Sequence, residues 1–223
     1  MGGGSGIGHY VIDKLVKQGH EVIAASRSIK DADLPESVER RQYDVTADED
    51  FEMPDELNGL VYCPGTIKLQ PFHRFKLDDV QRDFDINVKG AFRLIQQAIP
   101  ALKKGKGSVV MFSTLAVQTG LPFHSSISAA KGAVEGLVRS LAAEYAPHIR
   151  FNAVAPSLTD TPMAEALLNN DRKRESNADR HPLKRVGTPE DIGAMAVHLL
   201  SDEASWITGQ VFAIDGGMSA LRI

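Results

Sequence analysis

Cysteine is almost missing from this chain: Cys63 is the only one in 223 residues. An internal disulfide is thereby excluded, and the composition predicts a protein of the reducing cytoplasm. Nor is there an excess of one charge. Lys and Arg number 25 against 29 Asp and Glu, a net charge of −4. Basic side chains are scattered, apart from a run near Arg172, so no nucleic acid partner is expected. No apolar stretch approaches the roughly 20 residues a helix needs to cross a bilayer, and no signal peptide is visible, so no membrane partner is expected. Solenoid repeats and low-complexity linkers are missing, and no metal site is expected. What remains is 43% hydrophobic and 24% charged residues, the make-up of one soluble domain.

The most informative stretch is Gly2-Gly3-Gly4-Ser5-Gly6-Ile7-Gly8. Apolar residues then recur at Ile7, Val11, Ile12, Leu15 and Val16, one face of a helix that Gly19 should stop. A glycine turn at a helix N-terminus offers bare backbone N–H groups and the positive end of the helix dipole, a seat for a pyrophosphate. The spacing Gly-x-x-x-Gly-x-Gly differs from the Gly-x-Gly-x-x-Gly dinucleotide fingerprint. A flexible glycine-rich terminus is the competing reading.

Beyond it, strands and helices alternate, which predicts a parallel sheet covered on both faces. Strands are expected at Glu21–Ala25, Arg40–Tyr43, Gly59–Cys63, Ser108–Phe112, Ile149–Ala155 and Gln210–Ile214. The steps Leu77, Val80, Phe84, Val88, Ala91, Ile95 and Ala98 predict one long helix over Leu77–Ile99. Ile127, Ala130, Val134, Leu137, Leu141 and Tyr145 predict a second. Ala164–Asn170 reads as helical, Asp171–Arg185 as a mobile loop, and Pro189 as the first position of a last helix. One feature conflicts with this fold. A phosphate-binding glycine turn should follow a strand, and only Met1 precedes Gly2. In a doubly wound sheet of order 3-2-1-4-5-6 that strand is central. The expectation is a chain that starts late and lacks it; repair by a register change or by another chain is the alternative.

Several motifs now stand in order: Gly2-x-x-x-Gly6-x-Gly8, Asp44-Val45, Asn87-Val88-x-Gly90, Ser113-Thr114, Ser128-Ala129-Ala130-Lys131, Asn152-Ala153-Val154-Ala155-Pro156, Asp160-Thr161-Pro162-Met163 and Asp215-Gly216-Gly217. Over nearly its whole length the chain resembles the short-chain dehydrogenase/reductase family. The resemblance implies an α/β fold, a single-domain Rossmann-like doubly wound parallel sheet over residues 1–223, with a substrate-lid region around 157–187. It also implies a nicotinamide dinucleotide. The cofactor would meet Gly2, Ser5, Gly6, Ile7, Gly8, Ser26, Arg27, Ser28, Asp44, Val45, Pro64, Gly65, Lys131, Pro156, Thr159 and Thr161. Ser26 stands where NAD-preferring members carry an acid, and Arg27 follows it. A guanidinium without that acid suits a 2′-phosphate, so NADP is expected over NAD. An ordinary surface arginine is the alternative.

By the same resemblance Lys131 binds the nicotinamide ribose, Asn87 holds a water linked to Lys131, and Thr114, with Ser113 beside it, polarises a substrate carbonyl. The departures are specific. The family's proton-donating Tyr falls at Ile127, four residues before Lys131. Tyr62-Cys63-Pro64-Gly65 replaces the family's Asn-Asn-Ala-Gly, and Ser157 replaces the Gly after Pro156. Three explanations stand. A relocated acid supplies the proton, His124 first and Ser125, Ser126, Ser128 or Tyr62 after it. Or the protein binds NADP(H) without turnover, as a sensor or assembly partner. Or Ile127 is a local or engineered loss. Arg172, Lys173 and Arg174 could meet an anionic substrate, or form a solvated face. Small residues at Gly90, Ala91, Gly132, Ala133 and Gly136 match the family's paired helices, so the resemblance implies a homodimer or homotetramer. The expected substrate is a small carbonyl or alcohol.

Overall fold

The computed structural model describes residues 1–222. Helix α1 (Gly6–Lys17) leads to β1 (Ile23–Ser26), β2 (Glu39–Gln42) and β3 (Gly59–Tyr62). Helices α2 (Leu77–Phe84) and α3 (Gly90–Gly105) precede β4 (Ser108–Phe112). The short α4 (Ala116–Thr119) and the long α5 (Ser125–Tyr145) precede β5 (Arg150–Pro156). Then come α6 (Glu165–Leu168), α7 (Asp171–Asp179), α8 (Pro189–Leu200) and β6 (Val211–Ile214).

All strand pairs are parallel. β4 is the centre of this packing: all five of its residues are buried. The pleat sends alternate residues to opposite faces. Val109 and Met111 pack with Leu94, Ile95, Val134, Val138 and Phe151. Val110 and Phe112 pack with Val11, Ile192, Ala196 and Leu199. Helices α3 and α5 therefore cover one face, and α1 and α8 the other. α8 begins where its sequence dictates. The Thr188 side chain accepts the Asp191 N–H at 3.2 Å, and the Asp191 carboxylate accepts the Thr188 N–H at 2.8 Å, a capping box with Pro189 in the first turn.

The sheet is in two pieces, β2-β1 and β3-β4-β5-β6. The gap between β1 and β3 is where the doubly wound order places the central strand. Met1 and Gly2 bridge its upper end. Gly2 N–H donates to Ala25 O at 2.7 Å, and Cys63 N–H donates to Met1 O at 3.0 Å. The Met1 ammonium donates to Val61 O at 2.9 Å; burial pulls its pKa below the usual α-amino value. Below them lies a cleft of about 1820 Å³ whose walls include Ile12, Ile23, Ala24, Leu60, Val61 and Leu94. It lies between the two pieces of the sheet, walled by β1, β3 and α1.

Two expectations need correction. The long helix over Leu77–Ile99 is not uniform: Asp85–Lys89 forms a π-turn between α2 and α3. The apolar periodicity continues through such a turn, so it cannot reveal one; π-bulges recur at functional sites. The second correction is Asp171–Arg185. Its first half is helix α7, capped by Asn170, whose side chain accepts the Lys173 N–H at 2.9 Å. No residue of α7 is buried, so the segment lacks the apolar stripe from which a helix is read.

Candidate active site

The glycine turn closes on itself. A side chain at Gly8 would place its Cβ 2.5 Å from Gly2 O, and one at Gly3 would strike Ile12 Cδ1 at 2.3 Å. Gly6 has φ of +54°, a left-handed conformation that glycine adopts without strain. These constraints hold the backbone against the first turn of α1, with the Gly2 N–H spent on Ala25 O. Ser5, the N-cap, makes no side-chain capping bond. Neighbouring groups converge on the turn. Pro64 packs on Gly2, with Cδ 2.9 Å from where a Cβ would stand. Thr161 Cγ2 lies 3.2 Å from the corresponding point on Gly6. Ser26 Oγ lies 3.4 Å from that point on Gly4 and is buried with no hydrogen-bond partner.

A dinucleotide fits this arrangement. Bare N–H groups at a helix start suit a pyrophosphate, and the orphaned Ser26 hydroxyl marks a polar position at the end of β1. Arg27 and Ser28 are exposed beside it. Asp44 closes a turn by accepting the Thr46 N–H at 2.9 Å and the Thr46 hydroxyl at 2.8 Å. Those bonds, ahead of the nearby Arg27 charge, hold its carboxyl below the usual range. Val45 packs against the Gly90 position.

Lys131 and Asn87 meet at Gly65. A Cβ on Gly65 would lie 3.7 Å from Lys131 Nζ and 3.4 Å from Asn87 Oδ1. Asn87 is buried in the π-turn; its Nδ2 donates to Asp83 O at 2.8 Å and to Thr66 Oγ1 at 3.1 Å. Its Oδ1 is buried with no partner. A donor and an orphaned acceptor thus face one point, the geometry a bridging hydroxyl or water would satisfy. Burial lowers Lys131 to about 8, against the opposing pull of Cys63 and Asp83. The same burial raises the Cys63 thiol to about 11.

Thr114, half-buried after β4, accepts the Ala116 N–H at 3.3 Å, which leaves its O–H free to donate. Ser113 cannot share that role: its hydroxyl donates to the buried Glu135 carboxylate at 2.7 Å. Tyr62 drops out as a proton donor. Its hydroxyl donates to Ile86 O at 2.5 Å, and desolvation by burial raises its pKa far above the ordinary phenol value. Ile127 is buried in the first turns of α5. His124 precedes α5, with Nδ1 2.7 Å from Pro122 O. Lys131 lies seven residues further on, about 10 Å along the helix axis. Ser128 Oγ donates to Ala116 O at 3.3 Å.

Beyond β5, the Thr159 hydroxyl donates to Ser157 O at 3.0 Å and the Thr161 hydroxyl to Thr159 O at 3.4 Å. Pro156 O accepts the Leu115 N–H at 3.1 Å. The cationic run is largely committed. Arg174 pairs with Asp160 at 2.6 Å, and Lys173 Nζ donates to Ala166 O at 2.8 Å. Two other motif residues are structural. Asn152 Nδ2 donates to Ile207 O at 3.0 Å, and Asp215 accepts the Gly217 and Ser219 N–H groups, each at 2.9 Å. Sequence reasoning missed Asp83 and Thr66. The available signal was Asp83 one helical turn before Asn87, which puts both on one face.

The family described as enoyl-(acyl carrier protein) reductase matches residues 2–219. The chain is 39% identical over 171 residues to the 2-(S)-hydroxypropyl-CoM dehydrogenase 3 of Xanthobacter autotrophicus, covering 74% of this chain and 67% of that one. A relative of equal identity and span from the same organism, covered over 74% of its length, is named an inactive 2-(S)-hydroxypropyl-CoM dehydrogenase 2. The 3-oxoacyl-[acyl-carrier-protein] reductase FabG of Thermotoga maritima is 34% identical, covering 97% of this chain and 95% of that one. Among solved structures, the ligand-free aldohexose dehydrogenase of Thermoplasma acidophilum superposes with a TM-score of 0.88 at 28% identity, covering 99% and 92%. ElxO with NADP bound gives 0.90 at 25%, covering 99% and 97%.

Proposed function

Because the chain belongs to the short-chain dehydrogenase/reductase family of NAD(P)-dependent oxidoreductases, we propose that it binds NADP(H) and transfers hydride to or from a small carbonyl or alcohol at a divergent site. The observation that carries the reading is the joint arrangement of the glycine turn with the Lys131–Asn87 pair at Gly65. Bound there, the dinucleotide supplies the hydride. The turn Gly2–Gly8 binds its phosphates through backbone N–H groups. Ser26, Arg27 and Ser28 take the adenosine ribose and its 2′-phosphate, and Asp44 and Val45 the adenine. Pro64, Gly65, Pro156, Thr159 and Thr161 line the nicotinamide side, and Lys131 binds its ribose. Thr114 donates its free hydroxyl to the substrate carbonyl oxygen. His124 gives the proton, its Nδ1 oriented by Pro122 O, the way an acid–base imidazole is commonly held. Residues 157–187 form the lid, the chain acts in the cytoplasm, and the paired faces of α3 and α5 make a homodimer or homotetramer.

A second reading is favoured by one observation: the buried Ile127 offers no proton where the family places its phenol. In that reading the protein binds NADP(H) as a sensor or assembly partner. One experiment separates the two. NADPH binding is followed by fluorescence, and NADPH oxidation with a panel of small carbonyls. Oxidation lost in His124→Ala with binding kept supports the relocated acid. Binding without oxidation, with oxidation gained in Ile127→Tyr, supports the silent protein. No binding of either nicotinamide form at millimolar concentration overturns both.

A further inference from the structure

Asp83 has no place in the roles above, yet it is only 2% exposed. Its carboxylate accepts the Ser126 hydroxyl and the Thr66 hydroxyl, each at 2.5 Å. Thr66 in turn accepts Asn87 Nδ2, and the same Nδ2 reaches Asp83 O. Three segments therefore close around one buried carboxylate: the loop after β3, the α2 and π-turn helix, and the first turn of α5. Two hydroxyls solvate an anion but do not neutralise it, and a buried charge without a counter-charge is costly.

The matching cation is close by. Lys131 is the one buried lysine or arginine among the described residues. Its ammonium has no hydrogen-bond partner among them and shares the Gly65 position with Asn87, whose Nδ2 Asp83 holds. The ionisable groups whose charge acts on Lys131 are Cys63, from the end of β3, and Asp83, from α2, the latter without a direct ion pair; the Gly65 position and Asn87 link the two. On its own helix Glu135 is taken by the Ser113 hydroxyl and by Arg139 at 3.3 Å. Cys63 is a thiol held neutral by its burial. Ile127, one turn before Lys131 and on the same helix face, is apolar and offers the ammonium nothing.

We propose that Asp83 is a positioning residue of this site: its carboxylate is the fixed counter-charge of the Lys131 ammonium, and the hydroxyls it gathers lock Asn87 beside that ammonium. The role bears on hydride transfer only if the oxidoreductase reading holds, but the charge pair is measurable without cofactor. Asp83 stands in, electrostatically, for the polar partner that an isoleucine at position 127 cannot be. Buried among Ser126, Thr66 and Asn87, it acts through Lys131 and Asn87.

The test is a pH titration of the Lys131 side chain by NMR in protein carrying ¹⁵N,¹³C-lysine, assigned with Lys131→Met. Asp83→Asn keeps the shape and removes the charge. The Lys131 midpoint is expected to fall by about one unit or more, the usual effect of losing a nearby opposite charge. Asp83→Ser is a second charge-removing variant with less bulk, should the amide disturb the fold. Ser126→Ala keeps the charge, and its midpoint is expected to stay or rise. A merely structural Asp83 would lower thermal stability in all three and leave the midpoint in place. Midpoints unmoved in both Asp83 variants, or lowered equally by Ser126→Ala, overturn the proposal. NADPH titration of the same proteins keeps the two questions apart. Absent binding sinks the oxidoreductase reading, while the lysine titration still decides the charge pair.

Discussion

The two halves of the site differ in how they hold their shape. The glycine turn is held by close backbone approach. Gly8 stands 2.5 Å from a carbonyl at the Cβ position, and Gly3 2.3 Å from Ile12. The half around Lys131 is held by a buried polar network of Asp83, Thr66, Asn87 and Ser126. Backbone packing at contact distance tolerates almost no substitution. A side-chain network can be rebuilt from different residues as long as its donors and acceptors balance. The contrast teaches where this chain was free to depart from its family. The glycine turn keeps its Gly-x-x-x-Gly-x-Gly spacing, while the half around Lys131 carries Ile127 four residues before the lysine.

The largest effect that would sharpen this contrast comes from the cradle. Gly8→Val drives a side chain into Gly2 O, which no rotamer avoids. It should cost about 3 kcal/mol or more of stability and remove NADPH binding, read by denaturant unfolding and by fluorescence titration. Next comes Ile127→Tyr, which returns a phenol four residues before Lys131. In a silent protein turnover should rise by roughly two to four orders of magnitude, the usual contribution of a positioned acid, whereas a protein that already uses His124 should gain little; NADPH affinity stays nearly unchanged in both, and steady-state NADPH oxidation measures it. A rise in affinity without a rise in rate would break the comparison.

Thr114→Val removes the free hydroxyl and should lower turnover roughly a hundredfold, in the range seen when one donor to a developing oxyanion is lost. Thr114→Ser should recover most of it. Arg27→Ala should weaken NADPH binding roughly tenfold, since charge-assisted bonds to a 2′-phosphate would lie at the exposed edge of the site. NADH binding should hardly change, and equal loss for both would count against the 2′-phosphate assignment.

The last effect is on pH. Burial holds Lys131 near 8 in the folded chain, below the ordinary lysine value of about 10.4. Between those values the unfolded chain binds the extra proton, so stability rises with pH across that window. Lys131→Met should flatten this slope. Chemical denaturation at pH 7.5 and 10 compares the two proteins.

Much of this was legible in advance because it rests on local rules. The alternation of elements and the parallel sheet follow from periodicity, and the break between β1 and β3 from the strand order expected of a doubly wound sheet. Helix α7 was not legible, because with no residue buried it has no apolar stripe to read. Nor was the π-turn at Asp85–Lys89, since the apolar steps run through it unchanged. Ser113 and Tyr62 stood as candidates until their hydroxyls were found committed to Glu135 and to Ile86 O.

What the sequence alone determined is the order and spacing of the motifs, down to Ile127 four residues before Lys131. The tertiary structure decided which polar groups are already spent and which are free. Asp83, Thr66 and Ser126 are separated by up to 60 positions in the chain, and only folding brings them within hydrogen-bond distance. A carboxylate's role depends on the charges and donors that surround it after water is excluded, and those neighbours come from segments that no local pattern links.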